Sequence, residues 1–374
     1  TWSTGNWIPS IYEGLKTDPR LFADIDNDGD LDIVGVDASE GTVSYGLNNG
    51  AGFDDPVTWL SGLNWNASRD QAFLADINGD RLIDFVHASA ADQAVTTYTS
   101  NSTQLTMLSR FDGTTFDARY PDRTRFPIWV TDLNNDGCAD IVLFGQSDTF
   151  TNQSQCNGSF GAYINQFRGF GFDQGYRVGR EKRWVHDTTG DELPDLVAAA
   201  GAVVVQYVNT STTQEISFSV NRQTLTDDFV TDDGWADNRD IEGRRGFGVF
   251  PRYLADVDAD GLVDLVGFGA AGTAVGINEL GAEGTRVFTD QRILARGFDV
   301  VSTTDWYRDY TLPTPPSPFP SPGPGANPCG PTFICRDYGP RIVGDINGDG
   351  RADLIGFSNA RLVYQQMPYV TQFE

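Results

Sequence analysis

Histidine, cysteine, methionine and positive charge are all scarce in this chain. Its 374 residues include two His, four Cys and two Met, and 26 Lys and Arg stand against 52 Asp and Glu, for a formal net charge of −26. A zinc site needs four converging ligands, so this small stock of His and Cys argues against one. The negative charge repels phosphate groups, which argues against nucleic acid and against an anionic membrane surface as partners.

Long apolar runs and common catalytic signatures are missing as well. No stretch approaches the roughly 18 apolar residues of a transmembrane helix, so no membrane insertion is expected. The chain has no G-x-S-x-G, H-E-x-x-H or phosphate-loop motif. His186 adjoins Asp187 and His87 follows an apolar run, so both are expected to be structural. We therefore expect no catalytic residue and no enzyme activity.

A nine-residue pattern that recurs six times organises the chain. The copies occupy 24–32, 76–84, 132–140, 187–195, 256–264 and 345–353, and each has Asp at positions 1, 5 and 9. Short apolar runs, often β-branched, stand before and after every copy, which is typical of buried strands. With 41 Gly and 18 Pro for turns, each unit of about 50 residues predicts four antiparallel strands. The prediction is an all-β protein, with residues 1–374 forming a single β-propeller of six blades, or alternatively seven.

Asn recurs after the third predicted strand of the units. These residues are interpreted as hairpin tips, because Asn tolerates left-handed turn geometry. Two of them, Asn101 and Asn209, also begin N-x-Ser/Thr glycosylation sequons, which predicts that the tip is exposed. The proposed tip residues are Asn48, Asn101, Asn165, Asn209 and Asn278, with Gln366 in the last unit.

The Asp-rich copies have the composition of calcium loops. Calcium takes oxygen ligands, which positions 1, 3, 5 and 9 would supply from side chains and position 7 from its backbone carbonyl. An EF-hand needs Glu at position 12 and flanking helices, and no copy has that Glu. Copies one and five look strongest, with four Asp each at the side-chain positions, and up to six calcium ions are expected. The predicted ligands are Asp24, Asp26, Asp28, Asp30, Asp32, Asp76, Asn78, Asp80, Leu82, Asp84, Asp132, Asn134, Asp136, Cys138, Asp140, Asp187, Thr189, Asp191, Leu193, Asp195, Asp256, Asp258, Asp260, Leu262, Asp264, Asp345, Asn347, Asp349, Arg351 and Asp353.

Several features favour a secreted glycoprotein. The sequence begins at Thr1, which we interpret as a processed mature form. The four cysteines form two local pairs, Cys138 with Cys156 and Cys329 with Cys335, and two disulfides are expected. Residues 311–331 hold nine of the 18 prolines and predict an extended insertion loop. The predicted glycosylation sites are Asn66, Asn101, Asn152, Asn157 and Asn209.

The D-x-(D/N)-x-D-G-x-x-D core followed by an apolar run, as in 256–268, resembles the FG-GAP/VCBS repeats of integrin α-subunit propellers. That resemblance implies a propeller fold and calcium, and leaves function open. The stretch 169–191 also resembles mushroom propeller lectins that bind N-acetylglucosamine between blades. In that family nearly every blade repeats a Gly-Trp-Arg-like element ahead of the Asp loop, which Gly175-Tyr176-Arg177 reproduces here and the other units do not.

Three functions are compatible with these features. The favoured one is a non-catalytic glycan-binding module, because sugars stack on aromatic rings beside polar groups. The alternative is a structural or adhesion glycoprotein of a wall, matrix or surface filament, with an extracellular protein partner. A calcium-dependent polysaccharide lyase is the least favoured. The candidate ligand-binding residues lie before the Asp loops and are Trp65, Tyr176, Arg177, Trp235, Trp306 and Tyr307.

Overall fold

In a computed structural model of the chain, twenty-five short β-strands make up almost all of the regular structure of the described residues. It describes residues 19–66, 69–101, 103–111, 122, 125–178, 181–230, 240–241, 244–245, 252–268, 273–281, 284–295, 341–358 and 361–365. Every strand pairing in these ranges is antiparallel. The all-β prediction is confirmed.

In the part of the chain that the structure describes, five sheets have four strands, a sixth has three, and one ribbon has two. Sheet 1 contains β1 (Arg20–Ala23), β2 (Asp32–Asp37), β3 (Thr42–Gly46) and β4 (Val57–Ser61). Sheet 2 contains β5 (Gln71–Ala75), β6 (Asp84–Ser89), β7 (Ala94–Ser100) and β8 (Leu105–Phe111). Sheet 3 contains β9 (Ile128–Thr131), β10 (Asp140–Phe144), β11 (Thr149–Asn152) and β12 (Ile164–Phe167).

The second half of the chain repeats this arrangement. Sheet 4 contains β13 (Arg183–His186), β14 (Asp195–Ala200), β15 (Val203–Tyr207) and β16 (Gln223–Thr226). The ribbon contains β17 (Asp240–Ile241) and β18 (Arg244–Arg245). Sheet 5 contains β19 (Arg252–Ala255), β20 (Asp264–Phe268), β21 (Thr273–Leu280) and β22 (Arg286–Ala295). Sheet 6 contains β23 (Arg341–Gly344), β24 (Asp353–Ser358) and β25 (Arg361–Gln365).

Each Asp-rich copy is the loop between the first and second strands of its sheet. In sheet 1, Ala23 of β1 pairs with Asp32 of β2, so the ladder closes the base of the loop. The residue at position 9 makes the same pairing in the other five sheets. The six loops therefore occupy the same end of their sheets, as the repeat predicts.

Apolar side chains pack sheets 1 to 5 against one another in sequence. One cluster joins sheets 1 and 2 through residues such as Trp59 and Phe85. Similar clusters join sheets 2 and 3, sheets 3 and 4, and sheets 4 and 5. Between sheets 5 and 6, the N–H of Ala352 donates to the carbonyl of Asp256 at 2.6 Å. The second strands, buried on both faces, supply much of this core, which explains their continuous apolar sequence.

Buried asparagines connect one sheet to another. Asn48 Nδ2 donates to the carbonyl of Ile346 at 2.7 Å, which joins sheet 1 to sheet 6. Asn209 Nδ2 donates to Leu133 O at 2.8 Å, and Asn278 Nδ2 donates to Thr188 O at 2.9 Å. In each case the acceptor is position 2 of another sheet's Asp loop. These amides thus couple the loops, and the Asn48 contact links the first described sheet to the last.

The prediction of exposed Asn hairpin tips is wrong in part. Asn48 and Asn209 do follow the third strand, whereas Asn278 lies within β21, and all three are buried. Ser100 and Ser154 hold the equivalent place in sheets 2 and 3, because their N–H groups bond the position-9 Asp as the three Asn do. Asn165 lies within β12.

The Cys138–Cys156 disulfide is present and ties the third Asp loop to the turn after β11. Cys329, Cys335, the Pro-rich segment 311–331 and both chain termini lie outside the described residues. Within the described ranges, no helix has the length and apolar character to span a membrane.

Candidate functional site

All six Asp loops share one backbone conformation. Positions 4 and 6 have positive φ in every copy, as at Asn27 (61°) and Gly29 (97°) in the first. The position-6 N–H donates to a carboxylate oxygen of the position-1 Asp, at 3.0 Å from Gly29 to Asp24. The position-7 N–H donates to the position-5 Asp, at 2.9 Å from Asp30 to Asp28. The other five copies repeat both bonds. The acidic residues therefore fix the conformation of the loop through these hydrogen bonds, and they also give it a negative charge.

Arg81 is strained in this geometry and offers a stability prediction. It occupies position 6 with φ of 68°, where four copies have Gly and the fourth copy has Glu192, also with φ of 68°. A left-handed conformation costs a non-Gly residue about 1–2 kcal/mol, and Gly loses about 0.5–1 kcal/mol of chain entropy in return. Arg81→Gly should therefore raise the free energy of unfolding by about 0.5–1 kcal/mol in urea denaturation. Arg81→Ala, which removes the side chain and keeps Cβ, should give no such gain. Equal gains from both variants would contradict strain as the cause.

The position-9 Asp residues anchor the loops to the sheets. All six are at most 1% exposed. In sheet 3, Asp140 accepts the N–H of Leu133 at 2.9 Å and the N–H of Ser154 at 2.6 Å. Burial raises the pKa of these carboxyls, against the hydrogen bonds that lower it, to about 7 for Asp140 and Asp264 and to about 6 for Asp32, Asp84 and Asp195. A nearby cation would offset the cost of ionising them.

Carboxylates crowd together most closely in copies one and five. Oxygens of Asp24, Asp26 and Asp32 lie within 4.8 Å of one another. Asp256, Asp258 and Asp260 form the same kind of group. Desolvation, and then repulsion from neighbouring acids, raise the pKa of Asp26 and of Asp258. These are the two copies that the sequence ranks highest as cation sites.

A buried amide oxygen tests whether the third loop suits a cation. Asn134, at position 3, is 1% exposed, and its Oδ1 has no hydrogen-bond partner. An orphaned buried acceptor beside Asp132 and Asp136 fits a hard cation, which would satisfy that oxygen. Cys138 and Cys156 also lie near Asp136, but their sulfurs are joined in the disulfide and are not thiolate ligands. The loop residues therefore fit calcium.

Two predicted ligand residues pack against the protein. Tyr176 is 7% exposed and lies in an aromatic cluster, with its ring centroid 5.2 Å from that of Phe170. Its burial leaves little surface for a ligand. Trp65 is half-buried and lies 5.4 Å from the ring of His87, whose Nε2 is 2.9 Å from Asp70 Oδ2. Trp235, Trp306 and Tyr307 lie outside the described residues.

Arg177 belongs to a surface cluster that the sequence analysis missed. A short 3-10 helix, Phe172–Gln174, places the Phe172 ring between two guanidinium groups. The Cζ atom of Arg177 is 3.5 Å from the ring centroid, and that of Arg125 is 3.8 Å from it. Gln146 accepts a bond from Arg125 at 3.1 Å and donates to Asp173. We call these five residues the Arg–Phe–Arg cluster. Arg125 precedes β9 and Gln146 follows β10. The cluster therefore combines residues that are distant in the sequence, and no local sequence pattern predicts it.

The structure also shows the surroundings of the two histidines and of the five sequon asparagines. Burial lowers the pKa of His186 to about 4, so its ring is neutral at pH 7. His87 is 4% exposed and bonded to Asp70. Asn152 and Asn209 are each 2% exposed, and their Nδ2 atoms donate to backbone carbonyls. The remaining sequon residues, Asn66, Asn101 and Asn157, are exposed.

Comparison with known proteins supports the fold. The chain matches no protein-family model and no curated protein. It is similar to the structure of an Agrocybe aegerita lectin that specifically recognises non-reducing terminal N-acetylglucosamine, with 23% identity, a TM-score of 0.65 and coverage of 97% of this chain and 82% of that chain. A Photorhabdus luminescens Tc holotoxin pore matches with 14% identity, a TM-score of 0.51 and coverage of 93% of this chain and 14% of that chain. These likenesses indicate a propeller-like fold.

A Bacillus licheniformis rhamnogalacturonan lyase also matches, with 12% identity, a TM-score of 0.33 and coverage of 93% of this chain and 82% of that chain. A similarity at that level supports no inference about catalysis.

Proposed function

We propose that this protein is a secreted, calcium-stabilised propeller of six blades that binds glycans and catalyses no reaction. The observation that carries the proposal is the lectin-like fold, which extends over 97% of the chain. The six described sheets contact one another in sequence, and Asn48 links sheet 1 to sheet 6, as a closed six-bladed ring requires. The expected function is the recognition of a glycan, which needs exposed polar groups held by a rigid scaffold.

The Arg–Phe–Arg cluster is the proposed glycan site. It lies beside Gly175-Tyr176-Arg177, the one element that resembles the mushroom lectins. Tyr176 packs inward and holds the segment, while Arg177 and Asp173 are exposed. Gln146 and Ser147 both donate to Asp173, which fixes its carboxylate. Guanidinium, amide and carboxylate groups at one surface match the hydroxyl-rich chemistry of sugars.

Calcium is proposed to serve the scaffold rather than the glycan. The Asp loops would hold the ions through the side-chain oxygens of positions 1, 3, 5 and 9, with copies one and five as the strongest sites. When bound, calcium neutralises acidic groups that otherwise repel one another. Because each loop contacts a neighbouring sheet, the ions would stabilise the ring as a whole.

A glycan array with purified protein tests the proposal. We expect selective binding in calcium and a loss of binding with EDTA as the scaffold loosens. Arg177→Ala should weaken binding by about tenfold, as expected for a charged hydrogen bond. Arg110→Ala is the matched control, because Arg110 lies on β8 in an exposed ion pair with Asp92. If the wild-type protein, folded in calcium, binds no glycan, the proposal is wrong.

A second candidate is an adhesion or assembly role, which exposed apolar residues favour. Val57 on β4, Met107 on β8 and Ile164 on β12 are 48%, 61% and 53% exposed. All three lie on the outermost strands of consecutive sheets, where a protein partner could cover them. Calcium-dependent self-association in sedimentation velocity, without glycan binding, would favour this function.

A further inference from the structure

The Phe172 ring in the Arg–Phe–Arg cluster is not open for sugar stacking. Two guanidinium groups lie 3.5 and 3.8 Å from its centroid. A guanidinium at that distance covers one face of a phenyl ring, so Arg125 and Arg177 lie on opposite faces. Sugars bind aromatic residues through an uncovered ring face. The ring therefore acts as a spacer that holds two positive charges near each other.

Neither arginine has an acidic partner in the described part of the chain. Arg125 donates to the amide oxygen of Gln146, and its Nε is buried without a partner. Arg177 donates to the carbonyl of Phe172. Asp173, the acid in the cluster, accepts from Gln146 and from Ser147 Oγ at 2.9 Å. Two guanidinium groups without a carboxylate are unusual in a chain with 52 acidic and 26 basic residues.

Glu181, the nearby acidic residue, is not an ion-pair partner of either guanidinium group in the described structure. Glu181 accepts the backbone N–H of Arg177 at 3.0 Å and is 7% exposed, so it is turned towards the interior. Its charge acts there on the buried guanidinium of Arg183. The cluster itself holds two positive charges and one negative charge, so it is a cationic spot on a protein of net charge −26. Such a spot attracts an anion that the rest of the surface repels.

We propose that the cluster binds the acidic group of a glycan, a sugar carboxylate or sulfate. Guanidinium groups recognise planar or tetrahedral oxyanions through paired N–H donors, and these bonds are stronger than those between neutral groups. Arg177 is exposed and supplies the accessible donors, and Arg125 adds charge from the other side of the ring. The inference rests on the proposed glycan-binding function and narrows its ligand to acidic sugars.

Isothermal titration in calcium tests the inference with three oligosaccharides of one backbone. One bears a uronic acid, one has that carboxylate reduced to the alcohol, and one bears a sulfate. We expect at least one acidic form to bind about tenfold more tightly than the neutral form, with affinity falling as salt rises. The form that binds identifies carboxylate or sulfate as the source of the charge.

Variants separate a charge effect from a general loss of the site. Arg177→Ala should remove the preference for the acidic form, while Arg177→Lys should keep part of it, because the charge remains and the paired donors are lost. Arg110→Ala should leave the preference unchanged. Thermal melting of each variant in calcium confirms folding. Equal binding of acidic and neutral forms overturns this inference and leaves the proposed function standing, whereas no binding of any glycan overturns both.

Discussion

Removing calcium should lower the free energy of unfolding of this protein by about 5 kcal/mol. At free calcium about 100 times the dissociation constant, each site that binds only the folded chain contributes about 2.7 kcal/mol, and the first and fifth loops are the two strongest proposed sites. The reason is electrostatic: Asp24, Asp26 and Asp32 have oxygens within 4.8 Å of one another. Thermal and urea unfolding in EDTA, calcium and magnesium measure the effect.

A double variant, Asp26→Ala with Asp258→Ala, is the control for this prediction. Both residues occupy position 3 and both have a pKa raised by desolvation and by neighbouring acids. Without calcium the variant should be at least as stable as the wild type, because crowding is relieved. In calcium it should lose most of the stabilisation. Identical melting of the wild type in EDTA and in calcium would show that these loops are not cation sites.

Asp140→Ala should lower the free energy of unfolding by about 3 kcal/mol in EDTA, where calcium makes no contribution. The substitution leaves the N–H groups of Leu133 and Ser154 buried without acceptors, and each such loss costs about 1–3 kcal/mol. The carboxylate is itself costly to bury, which offsets part of the loss. Urea denaturation measures the difference.

Asp55→Ala is the matched control for Asp140→Ala. Asp55 is exposed and lies outside the Asp loops, so its loss should change stability by no more than about 0.5 kcal/mol. If Asp140→Ala were as stable as Asp55→Ala, the buried carboxylate would not anchor the loop. A large loss of unfolding free energy for Asp140→Ala alone would show that the position-9 Asp stabilises the fold independently of any role in cation binding.

Local patterns in the sequence predicted much of the fold. The spacing of Asp residues and apolar runs identifies the hairpin formed by the first two strands of every sheet, and the structure has it at each copy. The Cys138–Cys156 pair, 18 residues apart, also forms as predicted. These features are local because each depends on contacts within one hairpin or one sheet.

The roles of the single residues after the third strand were harder to predict. Asn48 and Ser100 take the same place in neighbouring sheets, and a search for a repeated Asn selects Asn101 instead of Ser100. The position is defined by its backbone N–H, which bonds the buried position-9 Asp. A backbone donor is common to all these residues, so side-chain identity does not reveal it.

By itself, the sequence determined the repeat, the β class and the acidic loops, because periodic spacing and β-branched runs act over a few residues. Only the tertiary structure decided which side chains face a partner sheet and which face solvent. It buried Tyr176 and Asn209 and joined Asn48 to Ile346 across 298 residues. It also placed Arg125 and Arg177 on one ring. These contacts depend on how separate sheets pack together, and no spacing along one strand encodes that.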